Sequence, residues 1–296
     1  MRKILIIINP KAGTDKVKNI QDKVSKVTYS SQFQFEIVFT TYRGHAKQLA
    51  QEAVKNDYHS VVAVGGDGTV NEIATALVHT NVQLGIIPLG SGNGLARSLQ
   101  IPLDIGKALK IIVDDHSILI DSGIVNDQFS FFSNIGLGFD TEVTRLFAKS
   151  NTRGIWKYTA IVGKQIWNYP QQSWNIEFDG QKKQMKGFML NIANAAQFGY
   201  NFKIAPEASM QDGKFDLVLI KSFPKLMGAV IGIQGFLGNL NKSPYVETYV
   251  ARNIVIHNLI SKFQIDGDYY EVTPQPIQIK ISNNSLNILV AKNDTL

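Results

Sequence analysis

The sequence predicts an α/β domain with a parallel sheet, followed by a second domain of antiparallel β-strands. In the first 120 residues, short β-rich runs alternate with helical patterns, as in a parallel sheet covered by helices on both faces. Beyond about residue 122, short β-rich runs follow one another between turn residues, which is typical of antiparallel sheets. We therefore predict domains at 1–122 and 123–296, and leave open whether the last residues return to the first domain.

The first domain contains four strand patterns and three helical patterns. Continuous apolar or Val-rich runs of strand length lie at Ile4–Ile8, Phe35–Thr40, Ser60–Val64 and Gly85–Pro88. Helical patterns lie at Gly44–Lys55, Asn71–Val78 and Asp104–Val113. Asp104 is the expected N-cap of the last helix.

The second domain is predicted from β-rich runs separated by turn signals such as Asp179-Gly180 and Asp212-Gly213. The runs are Gln128–Ser133, Ser173–Phe178, Phe188–Ala193, Phe215–Ile220, Thr248–Ile256, Lys262–Ile265 and Ile277–Ile281. Helical segments interrupt them near 141–168 and 224–240. The longest apolar stretch, Leu226 to Leu240, is shorter than the roughly 20 residues that span a bilayer, so we expect a soluble, cytoplasmic protein.

The composition narrows the classes of function. Of the 296 residues, 44% are hydrophobic and 18% are charged, which fits a compact globular protein. The chain has no Cys, which excludes disulfides, thiolate zinc sites and iron–sulfur clusters, and its five His are scattered. The net charge of +6 favours phosphorylated ligands or an anionic membrane surface, and is too small to indicate nucleic acid.

The strongest functional signal is the segment VVAVGGDGTVNE at 61–72, where a buried strand runs into a glycine-rich turn and then a helix. The glycines let the backbone turn tightly and approach a ligand closely. The helix N-terminus then presents free N–H groups to an anion such as phosphate. Asp67 in this turn indicates either a Mg²⁺ ion beside the phosphate or a carboxylate near an incoming hydroxyl group. A plain β–α turn with Asp67 as the N-cap is the alternative.

Two further segments repeat this pattern. IIPLGSGNGLAR at 86–97 ends a strand and enters a helix, and NPKAG at 9–13 follows the first strand and adds a cation. Because the carboxyl ends of parallel strands share one edge of the sheet, we expect the three turns to meet where α/β proteins bind ligands. Ser91 and Asn93 can hydrogen-bond to phosphate or ribose. For Arg97 there are two interpretations, contact with phosphate or a solvated residue on the helix surface. None of the segments matches a Walker P-loop or a dinucleotide-binding fingerprint.

Together, NPKAG, GGDGTVNE and PLGSGNGLAR resemble the catalytic domain shared by diacylglycerol kinases, sphingosine kinases and the bacterial lipid kinases. Asp121-Ser122-Gly123, the segment NIGLGFD at 134–140 and Asp266-Gly267-Asp268 extend the resemblance over most of the chain. The resemblance implies an N-terminal domain like that of NAD kinases and phosphofructokinases, a C-terminal β-sandwich, and ATP bound in the cleft between them.

The resemblance also implies roles for individual residues. The nucleotide site is implied at Asn9, Lys11, Thr40, Gly65, Gly66, Asp67, Gly68, Thr69, Val70, Asn71, Ser91 and Asn93. Asp266 and Asp268 are implied beside the phosphoryl acceptor, with Asp268 as the proton acceptor. With Asp67, they form the predicted catalytic set.

The chain departs from the family pattern at two positions. The acidic segment usually reads D-G-E, and here it ends in the shorter Asp268. Glu271 is either a compensating acid or a surface strand residue. A plain hairpin turn is the alternative interpretation of the segment. Bacterial diacylglycerol kinases carry G-T-x-N-D, whose Asp helps to hold Mg²⁺, where this chain has Gly94. The GSGNGLA form is closer to that of sphingosine and ceramide kinases, and leaves Asp67 and Asp121 to hold the Mg²⁺ of the nucleotide.

A second Mg²⁺ site is implied at the turn 209–214. By position, its ligands are the Asp212 carboxylate and the backbone carbonyls of Ser209 and Lys214. Mg²⁺ commonly keeps several waters, so a small set of protein ligands is consistent with such a site. A plain Asp-Gly turn is the alternative.

The predicted function is in-line transfer of the γ-phosphoryl group of ATP to the hydroxyl group of a lipid of the diacylglycerol or sphingoid type. The alternatives are an NAD kinase-like nucleotide kinase, a phosphofructokinase-type sugar kinase, and a nucleotide- or lipid-binding module that has lost activity.

The predicted partners are a lipid substrate and, transiently, a membrane surface, which would make the protein peripheral there. The candidate contacts are the aromatic residues Trp156, Tyr158, Trp167 and Tyr169 and the apolar stretch 226–240. Core packing is the alternative interpretation of these residues. No nucleic acid is expected, and an exposed edge strand of the second domain would allow two copies to pair as a homodimer.

Overall fold

The computed structural model describes residues 2–13, 20, 23, 24, 33–150 and 154–292. The chain divides into two compact units, which we call the first unit and the second unit. The first unit is Met1–Ile120 together with Asn284–Leu296, and the second unit is Asp121–Asn283.

The first unit alternates strands and helices. Its strands are β1 (Arg2–Ile8), β2 (Phe33–Phe39), β3 (Ser60–Gly65), β4 (Gln83–Pro88), the beginning of β5 (Ser117–Val125) and the end of β16 (Asp268–Leu289). Its helices are α1 (His45–Lys55), α2 (Asp67–Leu77), α3 (Gly94–Ser98) and α4 (Ile105–Asp114). The first four strands pair in the order β2-β1-β3-β4, all parallel, and β16 adds to β4 in the same direction.

The inner strands of this sheet are buried on both faces. Ile4–Ile8 of β1 and every residue of β3 and β4 are buried, which is the pattern of a parallel sheet with both faces covered. Asp104 caps α4 as predicted, because its Oδ1 accepts a hydrogen bond from the Lys107 N–H at 2.9 Å. Helix α2 begins four residues earlier than predicted. Gly66 is its N-cap, so the alternative that made Asp67 the N-cap is wrong.

The second unit is rich in β-strands. Its strands are the end of β5, β6 (Phe129–Phe131), β7 (Asn134–Gly138), β8 (Gln172–Phe178), β9 (Gln181–Gly187), β10 (Met189–Ala193), β11 (Gln197–Gly199), β12 (Phe202–Lys203), β13 (Phe215–Ile220), β14 (Val246–Ala251), β15 (Asn253–Ile265) and most of β16. Its helices are α5 (Phe139–Ala148), α6 (Ile155–Gln165) and α7 (Met227–Leu237), and a 3-10 turn lies at Leu240–Lys242.

The main sheet of the second unit is antiparallel. Its strands pair in the order β14-β13-β10-β7-β15-β16, and β8 and β9 extend it from β15. Trp174, Phe131 and Phe215 are fully buried in one apolar cluster, and a second cluster forms around Phe139, Phe188 and residues of the helices. The predicted fold class, a parallel α/β domain followed by an antiparallel β domain, is confirmed.

Several boundaries in the second unit differ from the prediction. The predicted run Thr248–Ile256 is split between β14 and β15, because the Asp179 carboxylate accepts hydrogen bonds from the N–H groups of Arg252 and Asn253. The predicted helical segment 141–168 is two helices. The 22-residue strand β16 extends well beyond the predicted Ile277–Ile281. Among the described residues, no helix has the length and apolarity needed to cross a bilayer.

Candidate functional site

The three glycine-rich turns of the first unit lie together at the carboxyl ends of β1, β3 and β4. Asn9, after β1, donates a hydrogen bond from Nδ2 to Thr69 Oγ1 at 3.1 Å. The Leu89 and Gly90 N–H groups, after β4, donate to the Gly65 carbonyl at 2.8 and 3.3 Å. The predicted convergence of these turns is therefore present within the first unit.

The turns after β3 and β4 approach so closely that side chains are excluded. A Cβ built on Gly90 would lie 2.6 Å from Gly66 Cα, and one built on Gly66 would lie 3.2 Å from Gly90 Cα. A Cβ on Gly65 would lie 2.6 Å from Thr69 Oγ1. Real Cβ atoms essentially never lie within 3.0 Å of another heavy atom, so Gly65 and Gly90 exclude a side chain, whereas a Cβ at Gly66 would force its neighbour to shift. Glycine at 66 and 90 therefore lets the two turns meet.

Asp67 joins the same two turns. Its Oδ2 accepts a hydrogen bond from the Asn93 N–H at 2.9 Å, and its Oδ1 accepts one from the Gly94 N–H at 2.7 Å. Asn93 has a left-handed backbone, with φ of 52°, and donates from Nδ2 to the Gly90 carbonyl at 2.8 Å. The Asp67 carboxylate therefore fixes the turn 90–94, which is a contact that the sequence did not indicate.

The other predicted nucleotide residues lie around these turns. The Lys11 N–H donates to Asn9 Oδ1 at 3.0 Å, and the Thr40 N–H donates to the Ile8 carbonyl at 2.9 Å, so both residues lie beside Asn9. Gly68, Thr69, Val70 and Asn71 form the first turns of α2, and Ser91 lies in the turn after β4. Arg97 donates from Nε to the Gly92 carbonyl at 3.0 Å.

The acidic segment of the second unit is a tight hairpin turn between β15 and β16. Asp266 and Gly267 both have positive φ, 48° and 86°, and Ile265 pairs with Asp268, as in a two-residue type I′ turn. Asp266 Oδ1 accepts hydrogen bonds from the N–H groups of Ser133 and Asn134 at 2.8 and 3.0 Å, and its Oδ2 accepts one from the Phe132 N–H at 2.9 Å. Asp266 therefore anchors the turn, while Asp268 begins β16 and is partly exposed.

A buried polar cluster lies next to this turn. Gln264 donates from Nε2 to Asp140 Oδ2 at 2.9 Å and to Asn134, and its Oε1 accepts from the Gly267 N–H at 2.9 Å. Burial raises the pKa of the Asp140 carboxyl to about 7. A Cβ on Gly136 would lie 1.9 Å from Asp140 Oδ2, so the carboxyl group packs directly on that glycine.

The sequence placed Asp140 in the NIGLGFD segment and assigned it no role. Its burial could not be read from that segment, because the partners that enclose it come from distant strands. An Asp two residues after a Gly-Leu-Gly strand end was a signal that the sequence offered.

The predicted Mg²⁺ ligands of the second unit form one group. Asp121 is 1% exposed, and its Oδ2 accepts a hydrogen bond from the Gly213 N–H at 2.8 Å, while its N–H donates to the Met210 carbonyl at 2.7 Å. Asp212 Oδ1 accepts from the Lys214 N–H at 3.0 Å. Among the described residues, no three His, Asp or Glu side chains are grouped as a cation site. Carboxylate and carbonyl oxygens are nevertheless the donors that Mg²⁺ prefers, so the chemistry of the turn fits that ion.

The predicted membrane-facing aromatic residues divide into two pairs. Trp156 and Trp167 are 86% and 58% exposed, whereas Tyr158 and Tyr169 pack against the apolar cluster around Phe139. Helix α6, which carries Trp156, has no fully buried residue. On α7, Ile233 and Leu237 are also exposed.

Two family models match the chain. Residues 3–125 match the diacylglycerol kinase catalytic domain, and residues 133–290 match the YegS C-terminal NAD kinase beta sandwich-like domain.

Curated relatives of similar length match most of the chain. A diacylglycerol kinase of Staphylococcus haemolyticus is 30% identical over 273 residues, covering 89% of this chain and 81% of the relative. A diacylglycerol kinase of Bacillus subtilis is 29% identical, covering 93% and 92%.

Solved structures share the fold. The crystal structure of a diacylglycerol kinase from Bacillus anthracis superposes with a TM-score of 0.75 at 22% identity, covering 98% of this chain and 97% of that one. An NAD kinase from Archaeoglobus fulgidus, solved in complex with ATP, has a TM-score of 0.52 at 13% identity, covering 99% and 94%. The predicted similarity of the fold to that of NAD kinases is confirmed.

Proposed function

Because the chain belongs to the diacylglycerol kinase family, we propose that it transfers the γ-phosphoryl group of ATP to the hydroxyl group of a lipid. The observation that carries the proposal is the convergence of the turns at 9–13, 65–69 and 90–94. Backbone N–H groups at the start of α2 and the cation of Lys11 are the kind of groups that bind phosphate in such turns. Glycine at 66 and 90 lets the turns after β3 and β4 meet, which brings the start of α2 and the turn 90–94 to one place.

In this reaction, the lipid oxygen forms a bond to the γ-phosphorus atom, the bond from that atom to the β-γ bridging oxygen breaks, and ADP leaves. The hydroxyl proton passes to Asp268, which we propose as the proton acceptor. Asp266 holds the turn that presents Asp268, through three hydrogen bonds from the backbone. Asp67 holds the phosphate-binding turns in register.

Magnesium, when bound, neutralises the charge of the phosphates. Asp67 is the proposed ligand for the ion that accompanies the nucleotide. Asp212, with the carbonyls of Ser209 and Lys214, is the proposed set for a second, structural ion. A shift of the melting temperature with Mg²⁺ that disappears in Asp212→Asn would support this second site.

The function is tested by measuring transfer of the γ-phosphoryl group from labelled ATP in the presence of Mg²⁺. Diacylglycerol, monoacylglycerol, a sphingoid base and ceramide in mixed micelles are the lipid acceptors, and NAD⁺ is the nucleotide acceptor. Phosphorylation of a lipid supports the proposal. Phosphorylation of NAD⁺ alone, or ADP binding without turnover on any acceptor, would replace it with a nucleotide kinase or an inactive binding module.

Asp67→Asn adds a test of one residue in the same assay. The substitution nearly preserves shape but replaces one hydrogen-bond acceptor with a donor, so we expect a large loss of turnover. Full activity in the folded variant would contradict the role given to Asp67.

We further propose that α6 and α7 touch the membrane from which the lipid is taken. Exposed tryptophan and aliphatic side chains on these helices are of the type that inserts at the boundary of headgroups and acyl chains. The location that we propose is the cytoplasm, with transient contact at the membrane surface. Pairing of two copies through an edge strand stays a prediction, which sedimentation equilibrium would test.

A further inference from the structure

An exposed aromatic pair lies in the loop that follows β2. Tyr42 stacks on His45, with ring centroids 4.7 Å apart and ring planes within 15° of each other. Tyr42 is nevertheless 56% exposed. Since His45 covers one face of the tyrosine ring, the exposure leaves the outer face open to solvent.

Hydrogen bonds hold both rings in place. The Tyr42 hydroxyl donates to Gln48 Oε1, and the Thr41 N–H donates to His45 Nδ1 at 3.1 Å. Because a backbone N–H can only donate, Nδ1 is the acceptor, and the neutral imidazole carries its proton on Nε2. Ordering these side chains costs rotamer entropy. Because the Tyr42 ring is exposed, burial of apolar surface does not offset this cost. The rigid, open ring is therefore suited to a partner that is not part of the chain.

The pair lies at the same sheet edge as the phosphate-binding turns. The Thr40 N–H donates to the Ile8 carbonyl, directly before Asn9, and the Gly44 N–H donates to Glu72 Oε1 on α2 at 2.9 Å. In the order β2-β1-β3-β4, β2 lies outside the three strands that carry the turns. A nucleotide whose phosphates occupy those turns has its base to one side of them, and the Tyr42 ring is a flat apolar surface on the β2 side.

We propose that the Tyr42–His45 pair is the platform on which the base of the nucleotide stacks. The inference rests on the proposed kinase function and adds a base-binding residue to it. Stacking on an aromatic ring tolerates any base, because every base has a π face. The platform therefore contributes affinity for nucleotides in general and little selection between ATP and GTP.

The test compares ADP with inorganic tripolyphosphate, which has no base, by isothermal titration calorimetry in the presence of Mg²⁺. Tyr42→Ala should weaken ADP binding about 10-fold, the effect of one lost stacking contact, and leave tripolyphosphate binding unchanged. Tyr42→Phe keeps the ring and should retain ADP binding. Tyr58→Ala is the matched control, since Tyr58 precedes β3 at the opposite end of the strands. Thermal melting of each variant confirms folding.

Each other outcome has a defined meaning. Unchanged ADP affinity in Tyr42→Ala overturns the platform and leaves the kinase proposal standing, because the nucleotide still binds. An equal loss for ADP and tripolyphosphate also overturns it, because the variant would then have disturbed the phosphate-binding turns. If the unsubstituted protein binds neither compound, the platform and the proposed function fail together.

Discussion

The glycine-rich turns of the first unit and the acidic hairpin of the second unit are built in opposite ways. In the first unit the proposed nucleotide site is built from main chain, with glycines at 66 and 90 whose backbones nearly touch. In the second unit the hairpin is held by carboxyl groups, because Asp266 binds the backbone at 132–134 and the buried Asp140 accepts a hydrogen bond from Gln264. Both units use an Asp to bind backbone N–H groups. The first site should therefore be sensitive to added atoms, and the second to a change of charge.

The largest expected effect is that of Asp268→Asn on catalysis. If Asp268 accepts the proton, the amide removes general base catalysis and should lower kcat by about 100-fold or more, with the KM for ATP unchanged. Initial rates over a range of ATP concentrations measure both quantities. Because the side chain is partly exposed, the variant should fold normally. A kcat close to that of the unsubstituted protein would assign proton transfer elsewhere, with Glu271 as the next residue to substitute.

Gly90→Ala tests whether nucleotide binding depends on the close contact between the backbones of Gly66 and Gly90. The added Cβ would overlap Gly66 Cα, so the two turns must separate, and we expect nucleotide affinity to fall about 10- to 100-fold, the cost of overpacking a tight contact. Gly163→Ala in α6 is the control, because its Cβ meets nothing within 4 Å. Titration with ADP measures both. An unchanged affinity in Gly90→Ala would show that the turns can separate without loss of binding.

Asp266→Asn tests the anchor of the hairpin. The amide replaces one oxygen with an N–H donor and faces three backbone donors, so at least one of them loses its acceptor. We expect the free energy of unfolding to fall by about 2 kcal/mol, as for loss of a charge-assisted hydrogen bond in a part-buried site. Urea denaturation measures the change, with Asp268→Asn as the matched control. Equal stability of the two variants would contradict an anchoring role.

Asp140→Asn tests the buried carboxyl group through pH. Burial raises its pKa to about 7 in the folded protein, whereas the unfolded carboxyl group keeps a pKa near 4. Between these values the unfolded chain is already ionised while the folded chain retains the proton. Stability therefore falls as the pH rises through this window, and levels off above about 7.

Between about pH 5.5 and pH 8, this loss should be about 2 kcal/mol larger in the unsubstituted protein than in Asp140→Asn. Urea denaturation of both proteins at the two pH values measures the change in the free energy of unfolding. Subtracting the change in the variant from that in the unsubstituted protein cancels the contribution of other titrating groups. The same pH dependence in both proteins would mean that Asp140 is ionised without penalty.

The smallest effect on stability is expected for Trp156→Ala. The side chain is 86% exposed, so the free energy of unfolding should change by less than about 0.5 kcal/mol. Binding to vesicles that contain anionic phospholipid should nevertheless weaken, if α6 touches the membrane as proposed. Co-sedimentation with vesicles measures this, and Tyr249→Ala, on β14, serves as an aromatic control. Unchanged vesicle binding would exclude Trp156 from the contact.

The first unit was easier to predict from the sequence than the second. Continuous apolar runs such as Ile4–Ile8 identify buried parallel strands, and the glycine-rich turns mark where they end. In the second unit, β7 contains two glycines and β9 reads QKKQMKG, so neither has the apolar alternation of a strand. Their positions are set by pairing with strands that are distant in the sequence, which local patterns do not report.

The candidate site was predicted in part. Spacing after the strands was enough to bring Asn9, Thr69 and Gly90 together. The partners of Asp67 and Asp266 could not be predicted, because both carboxylates bind backbone N–H groups, which every residue possesses and no motif distinguishes. For residues 266–268 the sequence left two interpretations open, a catalytic acidic segment or a plain hairpin turn. The structure shows a hairpin turn there, and the proposed proton acceptor Asp268 directly follows it.

The Asp266-Gly267 turn also bears on how the protein ages. At an Asp-Gly bond the glycine nitrogen can attack the carboxyl carbon, closing a succinimide ring that reopens as isoaspartate, because no side chain on glycine hinders the approach. Here the carboxyl group is held by the backbone at 132–134, and the Gly267 nitrogen donates its hydrogen to Gln264. Both reactants of the ring closure are thus restrained by other segments. Isomerisation at this bond on long storage should therefore follow unfolding of the hairpin and be slow in the folded protein.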